Sequence, residues 1–499
     1  MIAADEIAQN RQDQLQDELT APNACATEYR AQVFAAYAVM VGIPALCIAG
    51  GQAGLLRVVF PVLSLVVGSF LLWRSKPAYV GMVFWLWFTT PFLGRMADLQ
   101  SGWTPASPVE LAPYITAGLA GLPLLGSLRM LGARKALPYA CALIAILYGL
   151  ILGLVSQPLF DVLRALLNWL VPVVFGLFIY ENRAEYLQFR RVIEKSFLFG
   201  LLATGAYGIY QFFVLPDWDR LWMLNVQLNS FGAVEAMKIR VFSTMNAPAI
   251  YAAVTTCGLL VLFNLSGKLR LIAAACGFLA LMLTVSRASW LSLVAGGIYL
   301  AVRAGMRQRV RLAVAAFACV VFLMGLTQVP VVNELLMQRV QTFSDPSQDV
   351  SFSARIEGHE QAFRQIAQEP FGEGLGSTDA KHNTEGDDDI IGPHDSTILE
   401  FLYSLGWIGT LVYAMGVGSL AFQLMRSRAS DTFTTSAIAI LVGFAAQCLL
   451  NSIMIGILGF MVWTFASMSL AAADQPMETA DTAEPQAAPA VNFAAAQEI

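Results

Sequence analysis

The sequence predicts an all-α fold, a polytopic bundle of about 12–14 transmembrane helices with one large extramembrane loop containing short helices. Three observations predict it. Hydrophobic residues make up 57% of the 499 and charged residues only 13%, too little charge to cover a soluble surface of this size. Apolar runs of about 17 to 25 residues, the length that crosses a bilayer, recur along most of the chain. Lys and Arg concentrate in alternate connections between those runs.

The N-terminal segment 1–32 opens with polar and acidic residues (Asp5, Glu6, Asp13, Asp17, Glu18) and lacks the basic and apolar regions of a signal peptide. It reads as a cytoplasmic tail. Spans are expected near 33–49, 56–73, 78–94, 111–128, 137–156, 162–181, 196–215, 248–266, 270–285, 288–303, 311–328, 396–422, 433–450 and 454–471. Prolines and glycines inside them are tolerated where neighbouring helices satisfy the freed backbone. From 474 to 499 the chain is rich in Ala, Pro, Glu and Thr and reads as a disordered cytoplasmic tail. The membrane domain is therefore 33–473.

Orientation follows from the basic loops Arg74/Lys76, Arg129/Arg134/Lys135, Arg183/Arg190/Arg191/Lys195, Lys268/Arg270, Arg303/Arg307/Arg309/Arg311 and Arg426/Arg428. Alternation puts them on one side with both termini, which the positive-inside rule makes cytoplasmic. The opposite side carries acids, among them Asp98, Asp217, Asp219, Glu235 and Asp387-Asp388-Asp389. The long polar loop, about 328–395, is then periplasmic or extracellular. Six of the seven cysteines fall in expected spans and none in that loop, so neither a disulfide framework nor a zinc site is indicated there.

That loop carries the chain's three histidines, His359, His382 and His394. Ser353 to Gln368 fits a one-sided helix, with Ile356, Phe363 and Ile366 on one face and Glu357, Glu360 and Arg364 on the other. Pro370-Phe371-Gly372-Glu373-Gly374-Leu375-Gly376 ends it. Asp395 or Ser396 can cap the next span, with Glu400 just inside it. His394 then sits at a helix mouth, where an imidazole that titrates near neutrality can take a proton from a hydroxyl; Asp395 or Glu400 could orient it. The competing reading is a cap or interfacial residue.

Two arginines lie where other spans reach the same side. Arg287 follows Thr284-Val285-Ser286 with almost no loop between apolar runs. It either snorkels to lipid headgroups or contacts a phosphate, for which its planar, permanently charged fork is suited. Arg240 precedes Val241-Phe242-Ser243-Thr244-Met245-Asn246-Ala247-Pro248, and Lys238 beside it could balance the same charge. The acidic run at 387–389 lacks the spaced ligands of a calcium loop. Neither a P-loop nor a dinucleotide fingerprint occurs, so no nucleotide-driven mechanism is supported. Neither a cofactor, a metal nor a nucleic-acid partner is expected.

Together these stretches, with the segment from Arg355 through Gly372-Glu373-Gly374-Leu375-Gly376 to His394 and then Gly406-Trp407-Ile408-Gly409, resemble the O-antigen ligase and Wzy-type O-antigen polymerase superfamily. The likeness covers about residues 235–425. It implies a GT-C-like, metal-independent inverting glycosyltransferase of the inner membrane. Such an enzyme takes a glycan from undecaprenyl diphosphate at the periplasmic face and passes it to a sugar hydroxyl, on a growing glycan or on lipid A-core. A flippase and a chain-length regulator are the partners it suggests. It assigns Arg240 and Arg287 to the diphosphate and His394 to deprotonating the acceptor, with Lys238, Arg355 and Glu400 as supporting residues. The family has Asn after the histidine; here Asp395 follows, so Asp395 shares the candidacy for the base. The alternatives are a transporter or flippase for a polar lipid or sugar, which calls for an ionisable path inside the membrane, and a scaffold in an envelope-synthesis complex.

Overall fold

The computed structural model describes residues 29–126, 132–226, 229–303, 305–326, 360, 363–364, 370–378, 396–426 and 431–474. Of the terminal tails expected from the sequence, 1–28 and 475–499 lie outside them, whereas 29–32 already belong to a helix and Asp474 is described. Sixteen α-helices are named in chain order: α1 (Tyr29–Ala49), α2 (Leu56–Arg74), α3 (Lys76–Ser101), α4 (Leu111–Gly118), α5 (Gly121–Leu124), α6 (Leu137–Ser156), α7 (Leu159–Glu181), α8 (Tyr186–Val214), α9 (Asp217–Val226), α10 (Pro248–Val261), α11 (Lys268–Leu283), α12 (Arg287–Arg303), α13 (Met306–Leu326), α14 (Thr397–Arg426), α15 (Thr432–Ala446) and α16 (Gly456–Ala473). Among the described residues the one extended pairing is an isolated antiparallel bridge, Gly232 to Ile239.

Every expected span has a helix. Among the described residues seven segments, those of α1, α2, α6, α7, α8, α14 and α16, are long and apolar enough to cross a membrane by length and composition. The expected span 111–128 is interrupted. Gly118, Gly121 and Pro123 divide it into the short helices α4 and α5, as residues with poor helix propensity do. Helix starts follow local chemistry. Ser75 accepts from Ala78 N at 3.3 Å to cap α3, Pro248 opens α10 where its missing N–H costs nothing, and Asp431 Oδ1 accepts from Thr434 N at 3.1 Å to cap α15.

The main helix pairs are α6 with α14, α7 with α16, α8 with α11 and α12 with α15. Small residues let the backbones close in, as in membrane bundles generally: Gly176 faces Trp463, Gly205 faces Cys276 and Gly443 faces Ser292. α16 is the axis of the bundle, 83% of its window being buried, whereas α1 at 17% lies on the outside. An aromatic cluster of Phe84, Trp87, Phe175 and Phe460 fills the interior between α3, α7 and α16.

Charge is segregated by end. Where α2, α7, α12 and α14 finish and α3, α6, α8, α11 and α13 begin, the ion pairs are Lys76–Glu185 at 3.2 Å, Arg183–Asp474 at 3.5 Å, Arg190–Asp431 at 3.0 Å and Lys135–Asp474. The described residues of the basic loops thus gather at one end. The connections carrying Arg240, Arg287 and the start of α14 lie at the other.

Candidate functional site

The second end holds a buried polar assembly around the segment 240–248. Arg95, in the last third of α3, makes an ion pair with Asp219 of α9 at 2.8 Å, and both side chains are fully buried. Its other terminal nitrogen donates to Ser243 O at 2.6 Å, and its guanidinium lies 4.9 Å from the Phe242 ring centre. Gln211 of α8 completes the clamp. Its Oε1 accepts from Phe242 N (3.1 Å) and Ser243 N (2.7 Å), while its Nε2 donates to Asp219 Oδ2 at 2.8 Å. Tyr207 donates to the same carboxylate oxygen at 2.7 Å and accepts from Trp218 Nε1 at 2.6 Å.

The clamp holds a strained turn. Ser243 has φ of 52°, a left-handed conformation that costs a non-glycine residue about 1–3 kcal/mol and persists only where the surroundings enforce it. Thr244 Oγ1 donates to Phe88 O at 2.5 Å, and Asn246 Nδ2 donates to Glu110 Oε1. Burial pushes the Glu110 carboxyl above the usual carboxylate range, with Asn246 and then Arg164 opposing the shift.

Arg240 stands at the start of this turn and reaches the second arginine-bearing stretch. Its Nε donates to Thr284 O at 3.0 Å, its Nη2 to Val285 O at 3.4 Å and its Nη1 to Ser230 O at 2.9 Å. The backbones meet as well, with Val241 N donating to Leu283 O at 3.0 Å. Val285 has φ of 53°, an outlier for a β-branched residue. The 284–286 turn presents its carbonyls to Arg240. It then enters α12 with Arg287 as the first helical residue, where backbone N–H groups and the helix dipole favour an anion. Arg287 is half-buried. The two arginines, 47 positions apart in sequence, are thus brought to one strained turn.

Lys238 is exposed and pairs with Glu235 at 2.6 Å. Glu400 is buried on α14, its Oε1 accepting from Thr378 Oγ1 (3.1 Å) and Ser404 Oγ (3.5 Å). His359, His382, His394, Asp395 and Arg355 lie outside the described residues. Most of the helix expected at 353–368 does too, although Glu360 and Arg364 are helical and form an i,i+4 ion pair at 2.6 Å, as its polar face requires.

The glycine-rich stretch, expected to end a helix, is described from Pro370 onward. It is a backbone wedge between α6 and α14. Leu375 N donates to Gly149 O (2.9 Å), Glu373 N to Tyr403 O (2.8 Å) and Trp407 N to Pro370 O (2.9 Å). Ser156 Oγ and Tyr148 OH donate to Glu373 O and Phe371 O at 2.6 and 3.0 Å. Gly374 has φ of 88°, and a Cβ there would stand 2.1 Å from Gly153 N. Gly406 interrupts α14 with φ of 58°, and Pro370 O supplies the acceptor. Irregular backbone among packed helices is tolerated when it is satisfied in this way. The wedge delivers Thr378 to Glu400. Ser396 takes the expected place before α14, its carbonyl accepting from Glu400 N at 3.0 Å.

Sequence reasoning missed the Arg95–Asp219–Gln211 clamp. Its signal was an arginine late in an otherwise apolar run, since an ionisable group at such a position needs a partner.

Comparison with known proteins adds one result. Residues 272–414 match the family model described as O-antigen ligase. The match spans less than a third of the chain and includes Arg287, the wedge, Glu400 and Gly406, while Arg240 precedes it. No curated protein matches the chain. The chain is therefore a multi-pass helical membrane protein whose segment 272–414 matches the O-antigen ligase family model, in line with the resemblance of its motifs.

Proposed function

We propose that this protein is a metal-independent, inverting glycosyltransferase that moves a glycan from an undecaprenyl-diphosphate carrier to a sugar hydroxyl at the periplasmic face of the inner membrane, with both termini cytoplasmic. One observation carries the reading. Arg240 is hydrogen-bonded to the carbonyls of the very turn that leads into Arg287, which supports a reading in which both cations serve one anion beside the N-terminus of α12. In the reaction the acceptor oxygen attacks the anomeric carbon and the bond from that carbon to the phosphate oxygen breaks. The electron pair leaves with the diphosphate, whose growing charge fixed guanidinium groups stabilise. The acceptor proton passes to His394 or Asp395, and Glu400, fixed by Thr378, supports that end of α14. Arg355 and Lys238 assist from the loop and the rim.

The deciding experiment incubates purified protein with lipid-linked repeat units, with and without a lipid A-core acceptor. Chain growth without core marks a polymerase, and transfer only with core marks a ligase. Arg240→Ala and Arg287→Ala should each abolish product while the protein stays in the membrane. Arg287→Lys should recover part of it, because a lysine keeps the charge and loses the two-pronged contact. Loss of product in only one of His394→Ala and Asp395→Ala names the base. Product at wild-type yield in an Arg240→Ala/Arg287→Ala double variant ends the proposal. So does carrier translocation without transfer, which would favour the transport alternative.

A further inference from the structure

A cavity of about 770 Å³ separates α13 from α10, α11 and α12. Its walls are apolar, Phe278, Met282, Trp290 and Ile298 among them, and three arginines, Arg270, Arg309 and Arg311, stand at its margin. This volume lies within the usual range for ligand sites. α13 shapes the space. None of its described side chains is buried. The small residues Ala315, Ala316 and Cys319 line the cavity, whereas Val314, Phe317 and Val321 stay exposed. A helix that turns its smallest side chains toward its neighbours leaves room rather than filling it, and a void of this size has no place in a packed interior.

The charge on the α11–α13 side of the arginine end is one-sided. From Ala236 to Asn333 the chain has no Asp or Glu, and Lys268, Arg270, Arg303, Arg307, Arg309 and Arg311 all fall at the ends of α11, α12 and α13 that meet there. The acids Glu185, Glu194, Asp431 and Asp474 at that end of the bundle pair with Lys76, Arg190, Arg183 and Lys135. Backbone bonds steer two of the guanidinium groups, Arg270 to Leu265 O at 2.6 Å and Arg309 to Val302 O at 3.2 Å.

We infer that this cavity binds an anionic diacyl phospholipid, with its acyl chains between α13 and the α11–α12 pair and its phosphate at Arg270, Arg309 and Arg311. A basic rim over an apolar slot between membrane helices is the chemistry that recognises such a lipid. The carrier lipid of the proposed reaction is a poorer fit. Arg270 and the Thr284–Arg287 turn stand at opposite ends of α11, about 21 Å apart, so a diphosphate held at Arg287 does not reach Arg270.

The test titrates phosphatidylglycerol or phosphatidylcholine into the delipidated full-length protein in detergent and follows Tm, with the retained lipid measured by mass spectrometry. Phosphatidylglycerol should raise Tm by several degrees and be retained, and phosphatidylcholine should do neither. Arg270→Ala/Arg309→Ala/Arg311→Ala should weaken the response at least tenfold. Gly297 lines the cavity and an added Cβ there meets nothing within 4 Å, so Gly297→Phe should fold, keep every arginine and abolish the response. Equal stabilisation by the two lipids, or an unchanged response in the Gly297→Phe protein, overturns the inference. Displacement of phosphatidylglycerol by undecaprenyl phosphate alone, through contacts insensitive to the three arginines, also overturns it and assigns the cavity to the carrier.

Discussion

The two sides of the candidate site are held by opposite means. On the α3–α8–α9 side, Arg95, Asp219 and Gln211 hold the strained Ser243 turn with charge and hydrogen bonds. On the α6–α14 side the wedge 370–378 is held by backbone bonds and by the absence of side chains at Gly153 and Gly374. The electrostatic side depends on partners being present, so it fails when a charge is removed. The steric side depends on space being empty, so it fails when a methyl group is added. Each can be broken by a change harmless to the other.

The largest effect is expected on the steric side. Gly374→Ala sets a Cβ 2.1 Å from Gly153 N at φ of 88°, a collision with backbone that cannot turn aside, and the folded protein should be lost from the membrane fraction. Gly418→Ala on the same helix as Gly406 meets nothing within 4 Å and should leave membrane levels and Tm unchanged.

On the electrostatic side, Arg95→Met or Asp219→Leu alone strands a buried charge and should cost about 3–5 kcal/mol, seen as a fall in Tm with loss of glycan transfer. The double variant removes both charges and should recover much of the stability but not the transfer, because Ser243 O loses its shorter, charged donor and keeps only Gln211 Nε2 at 3.3 Å. A double variant as unstable as the sum of the singles would show that the pair is not coupled.

Glu110 gives a smaller, pH-dependent effect. Its folded pKa is raised by burial, so between its unfolded and folded values the native state binds the extra proton and stability falls as pH rises. That contribution is fully favourable below the unfolded pKa. Glu110→Gln keeps an acceptor for Asn246 and should flatten the decline of Tm with pH above the ordinary glutamate range. A decline as steep as in the wild type would place its origin elsewhere. Smallest of all, Lys238→Ala breaks an exposed i,i+3 pair. Such pairs contribute little, and Tm and product yield should stay at wild-type values where Arg240→Ala removes the product.

How much of this was legible follows the range of each interaction. Hydropathy is local, so a helix is legible at each expected span, seven of the described ones being long and apolar enough to cross a membrane, and 111–128 differs in continuity because Gly118, Gly121 and Pro123 interrupt the apolar residues around them. The arginines were readable as cations at span ends. Their meeting was not, since Arg240 finds Thr284 O through a contact 44 positions long. The Arg95–Asp219 pair spans still more chain, and nothing in either neighbourhood names the other. The glycines of 372–376 announced a break but not what they pack against. Gly149 and Gly153 look like ordinary helix residues until the wedge is seen beside them.

The interruption of α14 at Gly406 has an evolutionary consequence. Since Trp407 N takes its acceptor from Pro370, a stretch from well upstream is grafted into the ladder of a helix it precedes. Thr397 is moored separately, to Cys448 O and Asn451 O. Both shores of the intervening segment, Thr378 and Ser396, are therefore anchored independently of its length. Insertions and deletions between them should accumulate among homologues, whereas the spacing from Pro370 to Thr378 and from Ser396 to Trp407 should stay constant.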